Sequence, residues 1–150
     1  MLANLIKEEL VQLGVRAENF EEAIRKAAEP LEKQGMVTQN YIDKIIETTQ
    51  TTGPYFVLAK HVALPHASYK EGGLKKAIGI TVLKEPVASG KTENDPVKYL
   101  FTLSATDSVS HLEALSNLVQ LLTDEDFFNL LDNSESPKEV VGYIESKNFE

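Results

Sequence analysis

The chain contains no cysteine among its 150 residues, which excludes disulfides, thiolate metal ligands and a cysteine nucleophile together. It has no apolar run approaching the length of a membrane span, and with 42% hydrophobic and 25% charged residues it has the balance of an ordinary globular protein. Basic clusters are also missing. The 15 Lys and Arg are scattered among 23 Asp and Glu, for a formal charge of −8, which argues against nucleic acid and anionic membrane surfaces and suits a basic protein partner. There is no Gly-x-Ser-x-Gly elbow for a serine hydrolase, and no Walker or Gly-x-Gly-x-x-Gly loop to cradle a nucleotide. Glu8 and Glu9 come too early for a secretory leader, so a cytoplasmic protein is expected.

The length suits one domain, 1–150, with a core that needs no staples. After a short helix or coil, Leu10–Val15 alternates as a strand. Asn19 with Glu22 reads as a helix start, and Ala23, Ile24, Ala27, Ala28 and Leu31 give one buried face, so a helix is expected over 20–34, ended by Gly35. Thr38 starts a second helix with Tyr41, Ile42, Ile45 and Ile46 inward; the threonines from Thr48 to Thr52 should break it ahead of Gly53-Pro54. The apolar run after Tyr55 reads as a strand stopped by Pro65. A flexible loop follows at 68–73. Strands are expected at 77–83, buried on both faces, and at 97–105, joined by a connection over 84–96. Ser110 with Glu113 reads as a capping box for a helix carrying Leu112, Leu115, Leu118, Val119 and Leu122. Shorter helices should start near Asp124 and at Ser136-Pro137. The alternation of helices and strands predicts an α/β domain, a mixed β-sheet flanked by helices on both faces.

Only His61, His66 and His111 can bring an imidazole to bear. His66 follows proline at an expected strand end beside a glycine-containing loop, where a rigid scaffold can present an exposed side chain; the alternative is a histidine that merely caps or solvates. His111 lies in the first turn of its helix, where backbone N–H groups and the dipole favour a phosphoryl group, or else it is simply an exposed helix-start residue. His61 reads as structural or as part of a rim. The spacing does not suit a metal site, so neither metal nor cofactor is expected.

Gly53-Pro54-Tyr55, Ala63-Leu64-Pro65-His66-Ala67 and the segment Asp107 to Leu115 resemble enzyme IIA components of the phosphoenolpyruvate-dependent sugar phosphotransferase system, mannitol/fructose superfamily, most like the ascorbate-type branch. The resemblance covers most of the chain. It implies a mannitol-type enzyme IIA fold and a phosphohistidine intermediate, with His66 as the residue phosphorylated and His111 as its support. It also implies the phosphocarrier HPr as donor, enzyme IIB as acceptor and, through IIB, the membrane enzyme IIC. Mannitol-type relatives carry an arginine in the segment that here reads Thr48 to Thr52, and many ascorbate-type relatives have one at the position of Ser68. With both absent, His111, its helix start and Lys60 remain to balance the phosphoryl charge. A regulatory, non-catalytic enzyme IIA-like module is the alternative reading.

Overall fold

The computed structural model describes residues 2–147. Two 3₁₀ turns, Leu2–Asn4 and Glu8–Leu10, lead into β1 (Val11–Val15), then α1 (Phe20–Lys33), α2 (Gln39–Thr52), the two-residue β2 (Val62–Ala63) and a 3₁₀ turn at Tyr69–Glu71. The chain continues through β3 (Ala77–Val87), β4 (Val97–Ser104), α3 (Ser108–Leu122), α4 (Glu125–Asn133) and α5 (Pro137–Lys147). The four strands form one sheet in the order β1-β3-β4-β2. β1 runs parallel to β3 and β2 parallel to β4, while β3 and β4 are antiparallel. The sheet is therefore mixed, as expected.

Period-two alternation on β3 divides the core. Ala77 and Leu83 pack with the α1 and α2 side chains Ile24, Leu31 and Ile45. Ile78, Ile80 and Val82 pack with Leu118, Phe127 and Ile144 of α3, α4 and α5. Helices thus cover both faces, and the residues at 77–83 are buried throughout. Gly79 lets α1 come close: a Cβ there would lie 2.6 Å from a Leu31 methyl. No helix among the described residues is long and apolar enough to cross a membrane.

Several boundaries differ from the sequence reading. The threonines at 48–52 do not break α2, because the hydroxyls of Thr48, Thr49 and Thr51 bond back to the carbonyls of Lys44, Ile45 and Glu47 and stay within the helix. Gly53, at φ 100°, ends it. Only Val62 and Ala63 of the expected strand before His66 pair with β4; the rest runs as turns and coil after Pro54. β3 continues past its expected end, through Pro86 to Val87. The 68–73 segment is not loose. Asn40 donates to the Glu71 carbonyl at 2.8 Å, Thr38 N–H donates to that of Gly72 at 3.0 Å, and Ser68 caps the turn.

The cap of α3 lies one turn earlier than expected. Asp107, not Ser110, is the N-cap: its carboxylate accepts the Ser110 N–H at 2.7 Å, and the Ser110 hydroxyl accepts the Asp107 N–H at 3.3 Å. An aspartate caps at least as well as a serine, and placing it at 107 leaves Ser110 to complete the box. His111 is consequently the fourth helical residue.

Candidate functional site

Main-chain bonds hold the segment around His66 to β4 and to the turn before it. Leu64 N–H donates to the Phe56 carbonyl at 2.9 Å, and Leu103 N–H of β4 donates to that of Pro65 at 3.0 Å. The buried Tyr41 hydroxyl of α2 donates to the Leu103 carbonyl at 2.7 Å and accepts the Ala67 N–H at 3.1 Å. Burial pushes the Tyr41 phenol up to about 12, so it keeps its proton.

The half-buried His66 places Nδ1 2.6 Å from the Leu64 carbonyl oxygen. A carbonyl can only accept, so Nδ1 carries the proton and Nε2 keeps its lone pair. Burial lowers the His66 pKa; the Leu64 bond works against this and the nearby His111 adds to it. The imidazole is therefore neutral near pH 7.

His111 projects from α3 to within 5.1 Å of His66, measured between ring centroids, and burial lowers its pKa also. Both rings border an open depression of about 490 Å³, lined by Tyr55, Ala67, Ser68, Tyr69, Ser108 and Leu112 as well. None of these residues is a lysine or an arginine. A larger cleft of about 800 Å³, between Arg16, Lys26 and Glu85, contains none of the histidines and is remote from this chemistry. The start of α3 is less open to an anion than expected. Its Ser110 N–H is held by the Asp107 carboxylate and the His111 N–H by the Asp107 carbonyl.

His61 stands apart from the pair. Its Nδ1 is 2.8 Å from the Pro96 carbonyl, its N–H donates to Asn94, and its own carbonyl accepts from Lys98 and Tyr99, at a φ of 68°. These bonds give it a structural place. Lys60 does not line the depression. Nor does Lys70, whose Nζ is 6.0 Å from the centroid of the Tyr69 ring. Among the described residues no group of three or more His, Asp or Glu side chains could hold a metal ion. Sequence reasoning missed two residues here. Tyr41 looked like one more member of a buried stripe, and Tyr55 was noted only as part of a turn, yet its hydroxyl donates to the His66 carbonyl at 2.9 Å.

A mixed sheet between two helical layers holds a neutral imidazole beside a second one in a shallow depression, an arrangement suited to carrying a phosphoryl group on histidine. Over residues 4–147 the chain matches the family described as "Phosphoenolpyruvate-dependent sugar phosphotransferase system, EIIA 2", and it belongs to that family. It is a phosphotransferase component with a phosphohistidine intermediate. The ascorbate-specific PTS system EIIA component of Escherichia coli K12 is 31% identical over 146 residues, covering 97% of this chain and 95% of that protein. The solution structure of the E. coli mannitol-specific cryptic phosphotransferase enzyme IIA aligns with TM-score 0.85 and 32% identity, over 95% of this chain and 97% of that one. The mannitol enzyme IIA of E. coli, solved in complex with phosphorylated enzyme IIB, aligns with TM-score 0.81 and 27% identity, over 95% and 99%.

Proposed function

We propose that the chain, acting as one domain over 1–150 in the cytoplasm, accepts a phosphoryl group from HPr on His66 Nε2. It then passes the group to enzyme IIB, and through IIB serves the membrane component that takes up ascorbate or a related sugar or polyol. The observation that carries this reading is the Nδ1–H bond to the Leu64 carbonyl, which leaves Nε2 as the one ring nitrogen with a free lone pair. Nε2 forms a bond to phosphorus as the donor's P–N bond breaks, and the electron pair of that bond returns to the donor imidazole. Nδ1–H stays on Leu64 and spreads the positive charge developing on the ring. His111 stabilises the phosphoryl oxygens as charge moves. No cofactor takes part.

The name of the ascorbate-specific relative supports the substrate class, and the solved complex with phosphorylated enzyme IIB supports the acceptor. The surface around the pair suits a protein partner. Val109 and Leu112 are exposed at 64% and 66%, and Tyr55 at 39%. Apolar side chains next to a reactive histidine exclude water during transfer. Charges of both signs are exposed beside this surface, Lys76 interacting with the carboxylate of Asp107.

The absence of lysine and arginine from the lining favours a second reading, a regulatory module that binds partners without being phosphorylated. Intact mass after incubation with phosphoenolpyruvate, enzyme I and HPr separates the two. Phosphocarrier function predicts an acid-labile adduct of one phosphoryl group on the wild type and none on His66→Ala. A wild type without the adduct leaves only the regulatory reading.

A further inference from the structure

We propose that Tyr55 and Tyr41 clamp the single peptide group between His66 and Ala67, and that Tyr55 is thereby a positioning residue for phosphoryl transfer. The proposal rests on His66 being the phosphoryl acceptor. The two phenols grip opposite ends of that peptide: Tyr55 donates to its C=O at 2.9 Å, and Tyr41 accepts from its N–H at 3.1 Å. The preceding peptide is fixed as well, because the Pro65 carbonyl accepts from Leu103 of β4. When the peptide planes on both sides of a Cα are fixed, φ and ψ are fixed, and with them the direction of the Cα–Cβ bond.

The ring is then confined within that direction. The Leu64 carbonyl holds Nδ1, and the Tyr55 ring stands edge-on to the imidazole at 5.7 Å and 74°. Phe56 lies at 6.2 Å and His111 at 5.1 Å. Without the clamp φ of His66 is freer to change. A turn about N–Cα carries the His66–Ala67 peptide and Cβ together, moving Cβ relative to the Leu64 carbonyl and loosening the bond that selects the tautomer. The two tyrosines differ in accessibility. Tyr41 is fully buried beneath the site, whereas Tyr55 is 39% exposed and borders the depression, so the outer half of the clamp lies on the surface a partner meets.

Tyr55→Phe tests this, because it removes the hydroxyl and keeps the ring. With HPr as phosphoryl donor, kcat should fall roughly 3- to 10-fold, the worth of one neutral hydrogen bond, with KM for phosphorylated HPr unchanged. Nitrogen-15 NMR should show His66 shifting from a single Nδ1–H tautomer to a mixture, and Ala67 amide exchange should quicken. The NMR readouts need no activity, so they decide the clamp even if the wild type takes no phosphoryl group, a result that would overturn only the assignment of His66 as acceptor. A variant with wild-type tautomer, Ala67 exchange and kcat overturns the proposal. So does a change in KM alone, which would make Tyr55 a docking contact.

Discussion

Replacing His111 with alanine should cost more than one hydrogen bond. The imidazole centroids of His66 and His111 are 5.1 Å apart, so a phosphoryl group on His66 Nε2 comes within reach of the second ring. A transferring phosphoryl group favours the protonated form of a neighbouring imidazole and raises its pKa against the lowering that burial imposes. One unit charge facing another at ~5 Å with an effective dielectric of ~20 is worth about 3 kcal/mol, or roughly 10²-fold in rate. Backbone donors at the start of α3 offer only partial compensation, because the Asp107 carboxylate already holds the Ser110 N–H. Nor does a lysine or arginine line the depression to take over. The loss should therefore be on the order of 10²-fold, within the ~10²- to 10³-fold range typical of a missing preorganised donor. Rapid-quench transfer from phosphorylated HPr measures it, with circular dichroism confirming the fold. A His111→Ala rate within about threefold of wild type would show that the second imidazole does not touch the transition state. A folded His66→Ala that still forms the adduct while His111→Ala does not would reverse the two roles.

Three further outcomes follow from the same geometry. Tyr41→Phe should destabilise the protein by about 2–6 kcal/mol, since it leaves the Ala67 N–H without its partner and removes a donor from the Leu103 carbonyl, at about 1–3 kcal/mol each; a loss below about 0.5 kcal/mol in urea denaturation would contradict the clamp's buried half. Because burial lowers the pKa of His66 and protonating Nε2 removes its lone pair, transfer should hold steady as pH falls to the usual imidazole value and decline only below it; half-loss at or above about pH 6.5 would refute a lowered pKa. Association with HPr should slow as salt rises while dissociation changes little, as for a −8 protein meeting a basic carrier, and a salt-insensitive on-rate in stopped flow would count against charge steering.

Local signals made most of the fold legible. Asn19 caps α1 through the Glu22 N–H at 2.8 Å, and the near-continuous apolar run at 77–83 does mark a strand buried on both faces. Where reading failed, a longer-range or competing bond decided. The threonines after Ile46 have strand-like propensity, but their hydroxyls find carbonyls one turn back and α2 absorbs them. In the run before His66, Phe56, Val57 and Leu64 are buried without strand pairing, and only Val62 and Ala63 pair with β4. Ser110 offered a plausible box with Glu113, yet Asp107 competes for the same helix start and wins it. The two histidines could be named from sequence, whereas the tyrosines that hold the His66–Ala67 peptide could not. Tyr41 lies 26 residues from Ala67 in the chain, and no spacing rule links a helical stripe to one peptide group beyond it.

The strand order carries a consequence for how the protein comes into being. β2 and His66 precede β3 and β4 in the chain, yet β2 pairs with β4, and Pro65 leans on Leu103. A nascent chain that has exposed His66 therefore has the proposed acceptor without its seat. The seat closes only after about forty more residues have left the ribosome, bringing β4 and then His111. Such distant pairings form late in folding because loop closure must precede them. Reactivity thus becomes a property of the finished molecule, and a prematurely ended chain that stops before β4 would carry the histidine but be unable to divert phosphoryl groups from the complete carriers around it.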